Sequence, residues 1–440
     1  MKWKTLLAAG GLVFGLTVAP AHALTADEVK TFTLGNGMKF LVLENSAIPN
    51  ANFYTFWKVG SRNEAPGITG LSHFFEHMMF NGAKVYGPKQ FDRVMESKGG
   101  SNNAYTSNDL TVYQDWFPAS SLETIFALEG DRIGNLAIDP KMVESERGVV
   151  ASERITGLEN SNWRMLSEVV EAAAFRAHPY SWPVIGHESD IKAWTQEDLR
   201  RYFDTYYAPN NAVAVIVGDV KFDEVKRLAE QYIGPVPARA APPAVRTVEP
   251  EQVGERRVFV RKESVTTPNL MVAYKVPQTN HPDHYALDVL QSLLVSGKTS
   301  RLYKALVDKR LASDVDAGQG DTFDPGLMQF YAVAADGVAA GKLEQAFTAE
   351  LDRVVKQGVT EQELQKVKNQ KVVEFYRSLE TINGQAASIG HYEVFGGDYR
   401  KLFDVPAAYK RLTVADIKTV AAKYLKKSQR TVGVLAAKED

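Results

Sequence analysis

The chain has 440 residues, a formal charge of −2 at pH 7 and 45% hydrophobic residues, a globular composition with length for two or three domains. Near-neutral charge excludes a dedicated nucleic-acid binder, which needs a basic excess to neutralise phosphates. No cysteine is present, so disulfides, thiolate ligands and a cysteine nucleophile are excluded, and a metal could be held by histidine and carboxylate alone.

The N-terminus opens with basic "MKWK", continues as apolar "TLLAAGGLVFGLTVAPA" and reaches "AHA" at Ala21 to Ala23. This order predicts a secretory signal peptide over 1–23, cleaved after Ala23. A membrane anchor is the other reading, but the run is short, broken by Gly and Pro, and ends in small residues at a cleavage site. Export of a cysteine-free chain points to the bacterial periplasm.

"KFLVLEN" reads as an opening strand. "GLSHFFEHMMFNG", Gly70 to Gly82, follows as a helix between two glycines. Its four-residue spacing puts His73 and His77 on one face, one turn apart, where two imidazoles can reach one zinc. Glu76 lies on the same side and can hold a water without binding the metal. A core helix with two incidental histidines fits the same stretch. "NNAYTSNDLTVYQDWF" then reads as strand, turn, strand.

A third ligand is needed, because a catalytic zinc keeps three protein ligands and one open position. "VESERGVVASERITGLE" reads as a helix from about Lys141, opened by an Asp139 cap and Pro140. It places Glu146 and Glu153 two turns apart on one face. A solvated acidic face has the same appearance.

The stretch from Gly234 to Gly254 is rich in Pro and Ala and reads as an extended linker. The parts on either side echo each other. "TQEDLRRYFDTYY" from Thr195 and "TVADIKTVAAKYL" from Thr413 each begin with a threonine cap followed three residues later by an acid, Asp198 or Asp416. Each then runs into a β-branched strand. The pattern predicts a duplicated α+β fold: an N-terminal domain over 24–236, a linker over 237–254 and a homologous C-terminal domain over 255–440. Each would be a mainly antiparallel sheet with helices packed on one face. Among the remaining histidines, His281 and His284 read as a polar turn, and His391 as a lone helix residue.

Taken in order, "GITGLSHFFEHMMFNG", "GGSNNAYTSNDLTVY", "ERGVVASE" and "YYAPNNAVAVIVGDV" resemble the M16 family of zinc peptidases, typified by pitrilysin, insulysin and the mitochondrial processing peptidase. H-x-x-E-H is the inverted form of the zinc-peptidase motif. The resemblance implies one Zn2+ per chain, held by His73, His77 and Glu153, with Glu76 as general base and Glu146 orienting a ligand histidine. It implies that Asn103, Ala104 and Tyr105 lie on a free strand edge that binds extended peptide substrate. Family members that kept the fold and lost the metal make a non-catalytic scaffold or peptide-binding subunit the alternative.

The chain also departs from the family. Single-chain relatives carry two copies of the two-domain unit and close around the peptide, whereas this chain holds one. The half opposite the zinc supplies an Arg and, seven residues on, a Tyr. Aligned on Lys309-Arg310 of "SRLYKALVDKRLASDVDAG", those positions are Val307 and Asp314 here. The resemblance therefore implies a heterodimer with a homologous subunit that carries the pair.

Overall fold

The computed structural model describes residues 24–438. The expected signal peptide and its cleavage site lie outside the described residues. No described helix is long and apolar enough to cross a membrane.

The first half contains strands β1 (Val29–Thr33), β2 (Lys39–Glu44) and β3 (Asn50–Trp57), then helices α1 (Leu71–Met78) and α2 (Gln90–Ser97). Strands β4 (Ser101–Thr106) and β5 (Thr111–Pro118) follow. Next come α3 (Leu122–Asn135), α4 (Pro140–Asn160), α5 (Asn162–Ala174), α6 (Glu188–Ala193) and α7 (Gln196–Tyr206), then β6 (Ala212–Gly218) and α8 (Phe222–Tyr232). Residues 237–253 carry no regular secondary structure. The second half runs β7 (Arg256–Arg261), β8 (Asn269–Val276), α9 (His284–Val295), β9 (Ala312–Gln319) and β10 (Gly326–Ala334). It ends with α10 (Ala340–Gln357), α11 (Glu361–Ser378), α12 (Ile382–Val394), α13 (Val405–Arg411), α14 (Val414–Tyr424) and β11 (Arg430–Ala436).

The two sheets share one plan. The first has the order β1-β2-β6-β3-β5-β4, the second β7-β11-β8-β10-β9. Without β1 they match strand for strand. β2 runs parallel to β6 as β7 does to β11, and every other neighbouring pair is antiparallel. The helix order matches as well, which makes α9 the counterpart of α1, α11 of α4, α12 of α5 and α14 of α7. The threonine caps predicted at Thr195 and Thr413 both form reciprocal boxes with Asp198 and Asp416.

Each half packs its own helices on one face of its sheet. Phe40, Phe53 and Trp57 meet α1, α3 and α7 in the first core; Val272, Phe330 and Leu290 meet α10, α11 and α14 in the second. The other face of each sheet is covered by a helix of the opposite half. Ala386 and Ile389 of α12 lie on Leu41, Tyr54 and Val215 of the first sheet. Leu166 and Val170 of α5 lie on Met271, Ala273 and Leu435 of the second. Burial on both faces explains why β6, "AVAVIVG", is apolar without alternation. The approach is close: a Cβ on Gly390 of α12 would come within 2.1 Å of the Phe56 ring.

Candidate metal centre

The helix that carries both histidines is set by its apolar side. Leu71, Phe74, Phe75 and Met78 are buried in the first core, which turns His73, Glu76 and His77 to the opposite, half-buried side. Its N-terminus is fixed by backbone geometry. Gly70 has φ 89° and faces Gly186, and a Cβ there would lie 2.4 Å from the Ile185 carbonyl oxygen. The Glu64 carboxylate accepts hydrogen bonds from the Gly70 N–H at 2.7 Å and the Ser72 N–H at 2.8 Å. Burial pushes that carboxyl up to about 8, against the pull of these donors. The Tyr113 hydroxyl donates to the Phe75 carbonyl at 3.0 Å.

Helix α4 crosses α1 on its open side. The Asp139 side chain caps it by accepting from the Lys141 and Met142 N–H groups, with Pro140 in the first turn. Glu153 Oε2 lies 3.7 Å from His73 Nε2 and 3.5 Å from His77 Nε2. One ligand atom from each of the three residues fits within 4.8 Å, and no other trio of His, Cys, Asp or Glu does so among the described residues. A tetrahedral ion with bonds of about 2.1 Å separates its ligand atoms by about 3.4 Å, so the donor set fits zinc. Glu146 holds His77 from behind: its Oε1 lies 2.8 Å from Nδ1, which leaves Nε2 facing Glu153. Asn81 Nδ2 donates to the other oxygen of Glu146 at 2.8 Å. His73 Nδ1 is buried without a partner among the described residues.

The electrostatics are uneven. Burial lowers His73 to about 4, with help from the neighbouring His77. Burial works the same way on His77, but Glu146 and Glu153 outweigh it and hold the ring up at about 9. Burial raises Glu76 above the usual carboxylate range, against a hydrogen bond from Thr106 Oγ1 at 2.6 Å.

Among the described residues, strand β4 pairs with β5 alone, which leaves its outer edge open. Asn103 and Ala104 line a cavity of about 640 Å³ together with Glu76, His77 and Glu146. Tyr105 does not line it; it is 45% exposed and shares the outer face of the strand with Asn103, opposite Ala104 and Thr106. Thr106, Asn81 and Glu64 were not predicted. Asn81, four residues after His77, carried a helical-spacing signal, whereas Glu64 reaches α1 through the fold. Val307 sits in a single helical turn over Tyr303–Val307 and Asp314 on β9. His284 opens α9, so the predicted polar turn ends one residue earlier.

A family model described as "Insulinase (Peptidase family M16)" matches residues 41–188, and one described as "Peptidase M16 inactive domain" matches residues 193–371. The zinc protease PqqE of Helicobacter pylori is 33% identical over 434 residues, 97% of this chain and 97% of that protein. YmxG of Bacillus subtilis, described as an uncharacterized zinc protease, is 26% identical over 86% of this chain and 91% of its own length. The crystal structure of a protease from Helicobacter pylori superposes with a TM-score of 0.89 at 32% identity, covering 93% of this chain and 99% of that one. The periplasmic protease PqqL of Escherichia coli shares the fold with a TM-score of 0.79 at 20% identity, and the match spans 95% of this chain but 48% of PqqL. With a close relative aligned from end to end, this chain belongs to peptidase family M16, the insulinase family.

Proposed function

We propose that the chain is an exported zinc-dependent metallopeptidase, with one zinc per chain, that hydrolyses short or unfolded peptides inside a closed chamber. The observation that carries this reading is the convergence of His73, His77 and Glu153 within 4.8 Å, beside Glu76 and an open strand edge. Zinc bound there would polarise a peptide carbonyl and make a water molecule more acidic. Glu76 accepts the proton of the attacking water and passes it to the leaving amine. Thr106 orients the Glu76 carboxylate, and Glu146 fixes the tautomer of His77. The outer edge of β4 takes the peptide as an added strand through the main chain of Asn103, Ala104 and Tyr105, with the Ala104 side chain toward the zinc trio and Asn103 and Tyr105 on the opposite face; main-chain pairing asks little of the peptide's sequence.

Export to the periplasm is supported by the N-terminal sequence and by the periplasmic description of PqqL, which shares the fold. PqqL is about twice as long, and its first half alone matches 95% of this chain. That supports completion of the chamber by a second, homologous subunit. Val307 and Asp314 at the Arg and Tyr positions make it a heterodimer in which the partner supplies the pair.

The alternative, a non-catalytic scaffold or peptide-binding subunit, draws on the inactive-domain model. That match covers residues 193–371 and leaves out every residue of the trio. The deciding experiment measures zinc content and chelator-sensitive cleavage of a quenched peptide, first with this chain alone and then with a homologous chain encoded beside it. Stoichiometric zinc with cleavage in the mixture supports the proposal. Zinc-free protein without activity in either preparation refutes it, and full activity of the chain alone removes the heterodimer.

A further inference from the structure

The open side of α1 borders a second cavity, of about 370 Å³, which takes in His73, Glu153, Thr106, Trp163 and Arg164. It lies toward the Thr106 end of β4, whereas the cavity beside His77 lies toward Asn102 and Asn103. Trp163 and Arg164 stand at the start of α5, and the Trp163 side is 47% exposed.

The charges of this second cavity are accounted for one by one. Arg154 is consumed by Glu168, with 2.7 Å between Nη2 and Oε1. Glu171 is half-buried and accepts from Ser167 at 2.8 Å and Gln329 at 2.9 Å, and desolvation raises its carboxyl. Glu153 is committed to the metal trio. The guanidinium of Arg164 makes no hydrogen bond or salt bridge among the described residues. The residue is exposed, and its Nη1 lies over Gly157, 2.8 Å from where a Cβ on that glycine would stand. Gly157 follows Glu153 by four residues on α4, so the glycine under the guanidinium lies about one helical turn, roughly 6 Å along the axis, from the third ligand. Its charge lowers both Glu153 and His73.

We propose that Arg164 is a specificity-determining residue that pairs with a carboxylate of the bound peptide, on the Thr106 side of the scissile bond. A guanidinium with all its donors free, over a glycine that leaves room and beside an exposed indole, matches a carboxylate in charge and in fork geometry. The carboxylate can be an acidic side chain or the C-terminus of a short peptide. The inference rests on the peptidase reading and sharpens it.

The test uses quenched decapeptides in which a single Glu, Gln or Lys is scanned along an otherwise fixed sequence, each with a free and an amidated C-terminus. The full chain is assayed with its partner. Glu at one or two positions on one side of the cleaved bond should raise kcat/KM by roughly three- to tenfold over Gln, mainly through KM. Arg164→Gln should level the series, and Arg164→Glu should reverse it in favour of Lys. Gly157→Ala, which displaces the guanidinium without removing it, should weaken the preference. A gain confined to free-acid peptides identifies the C-terminus as the carboxylate bound; a gain that survives amidation identifies a side chain. Binding of the same peptides, fluorescently labelled, to Glu76→Gln protein by anisotropy reads the discrimination without turnover. If no peptide is cut but the binding order still follows Arg164, the peptidase reading fails and only the pairing of Arg164 with the peptide carboxylate is upheld. Equal treatment of Glu and Lys peptides by wild type and Arg164→Glu, or no peptide binding at all, overturns it.

Discussion

The two halves put the same pair of helices to opposite uses. In the first, α4 faces α1 with Glu153 near two imidazoles, and three donors converge with no lysine or arginine among them. In the second, the counterparts are α11 and α9. There Lys371 Nζ lies 2.8 Å from Asp288 Oδ1, and the Tyr409 hydroxyl donates to Asp288 Oδ2 at 2.6 Å. One arrangement gathers donors that suit a divalent ion; the other is neutralised by its own lysine. The fold therefore supplies a crossing of two helices, and the side chains placed there decide whether the crossing is a metal centre or a structural ion pair.

The largest expected effect lies at the base. Glu76→Gln should retain zinc and lose turnover by roughly 10²–10⁴-fold, read by metal analysis beside the quenched-peptide assay. His73→Ala and Glu153→Ala should lose zinc and activity together. Glu146→Gln removes the group behind His77 and should weaken zinc binding by about 10–100-fold, measured by competition with a chelator. In the second half, Lys371→Met leaves Asp288 half-buried with a tyrosine as its one remaining partner. It should cost about 1–3 kcal/mol of stability in denaturant titration, with zinc content unchanged. Zinc loss in that variant would mean the two crossings are coupled. Gly390→Ala drives a methyl toward Phe56 and should cost a similar 1–3 kcal/mol, because α12 then cannot seat on the first sheet.

Much of this was legible because it is local. The boxes at Thr195 and Thr413 span four residues each, and the Asp139-Pro140 start of α4 is shorter still. Spacing of four between histidines and seven between glutamates reads directly as helical faces. Spacing could not show that those faces meet, and family resemblance supplied that step. The exchange of α5 and α12 between halves left no such trace, because an apolar helix stripe does not say which sheet it will cover. Glu64, Thr106 and Arg164 were missed for the same reason. Each acts across the fold on an element that its own neighbours in sequence do not reveal.

The starts of α1 and α9 extend the comparison to pH. Glu64 holds α1 and, through burial, titrates at about 8 rather than 4.5. An acid whose folded value is raised favours the folded state fully below its unfolded value, and that contribution is lost as pH rises through the folded one. Stability due to Glu64 should therefore decline from about pH 4.5 to about pH 8. Asp283, before α9, behaves in the reverse sense. Burial opposes its charge, but Lys423 at 2.7 Å and the Tyr424 hydroxyl at 2.6 Å outweigh it and hold it below 3.8. Its contribution is present above pH 3.8 and disappears only as pH falls through its lowered value. Spread over a chain of this size, the effect should read as a fall of a few degrees in Tm across the window. Thermal unfolding of the metal-free protein should show a shallower fall with pH in Glu64→Gln than in the wild type, and the wild-type profile intact in Asp283→Asn. A wild-type profile flat from pH 5 to 8 would mean that the Gly70 and Ser72 N–H groups stabilise the Glu64 carboxylate enough to cancel its burial.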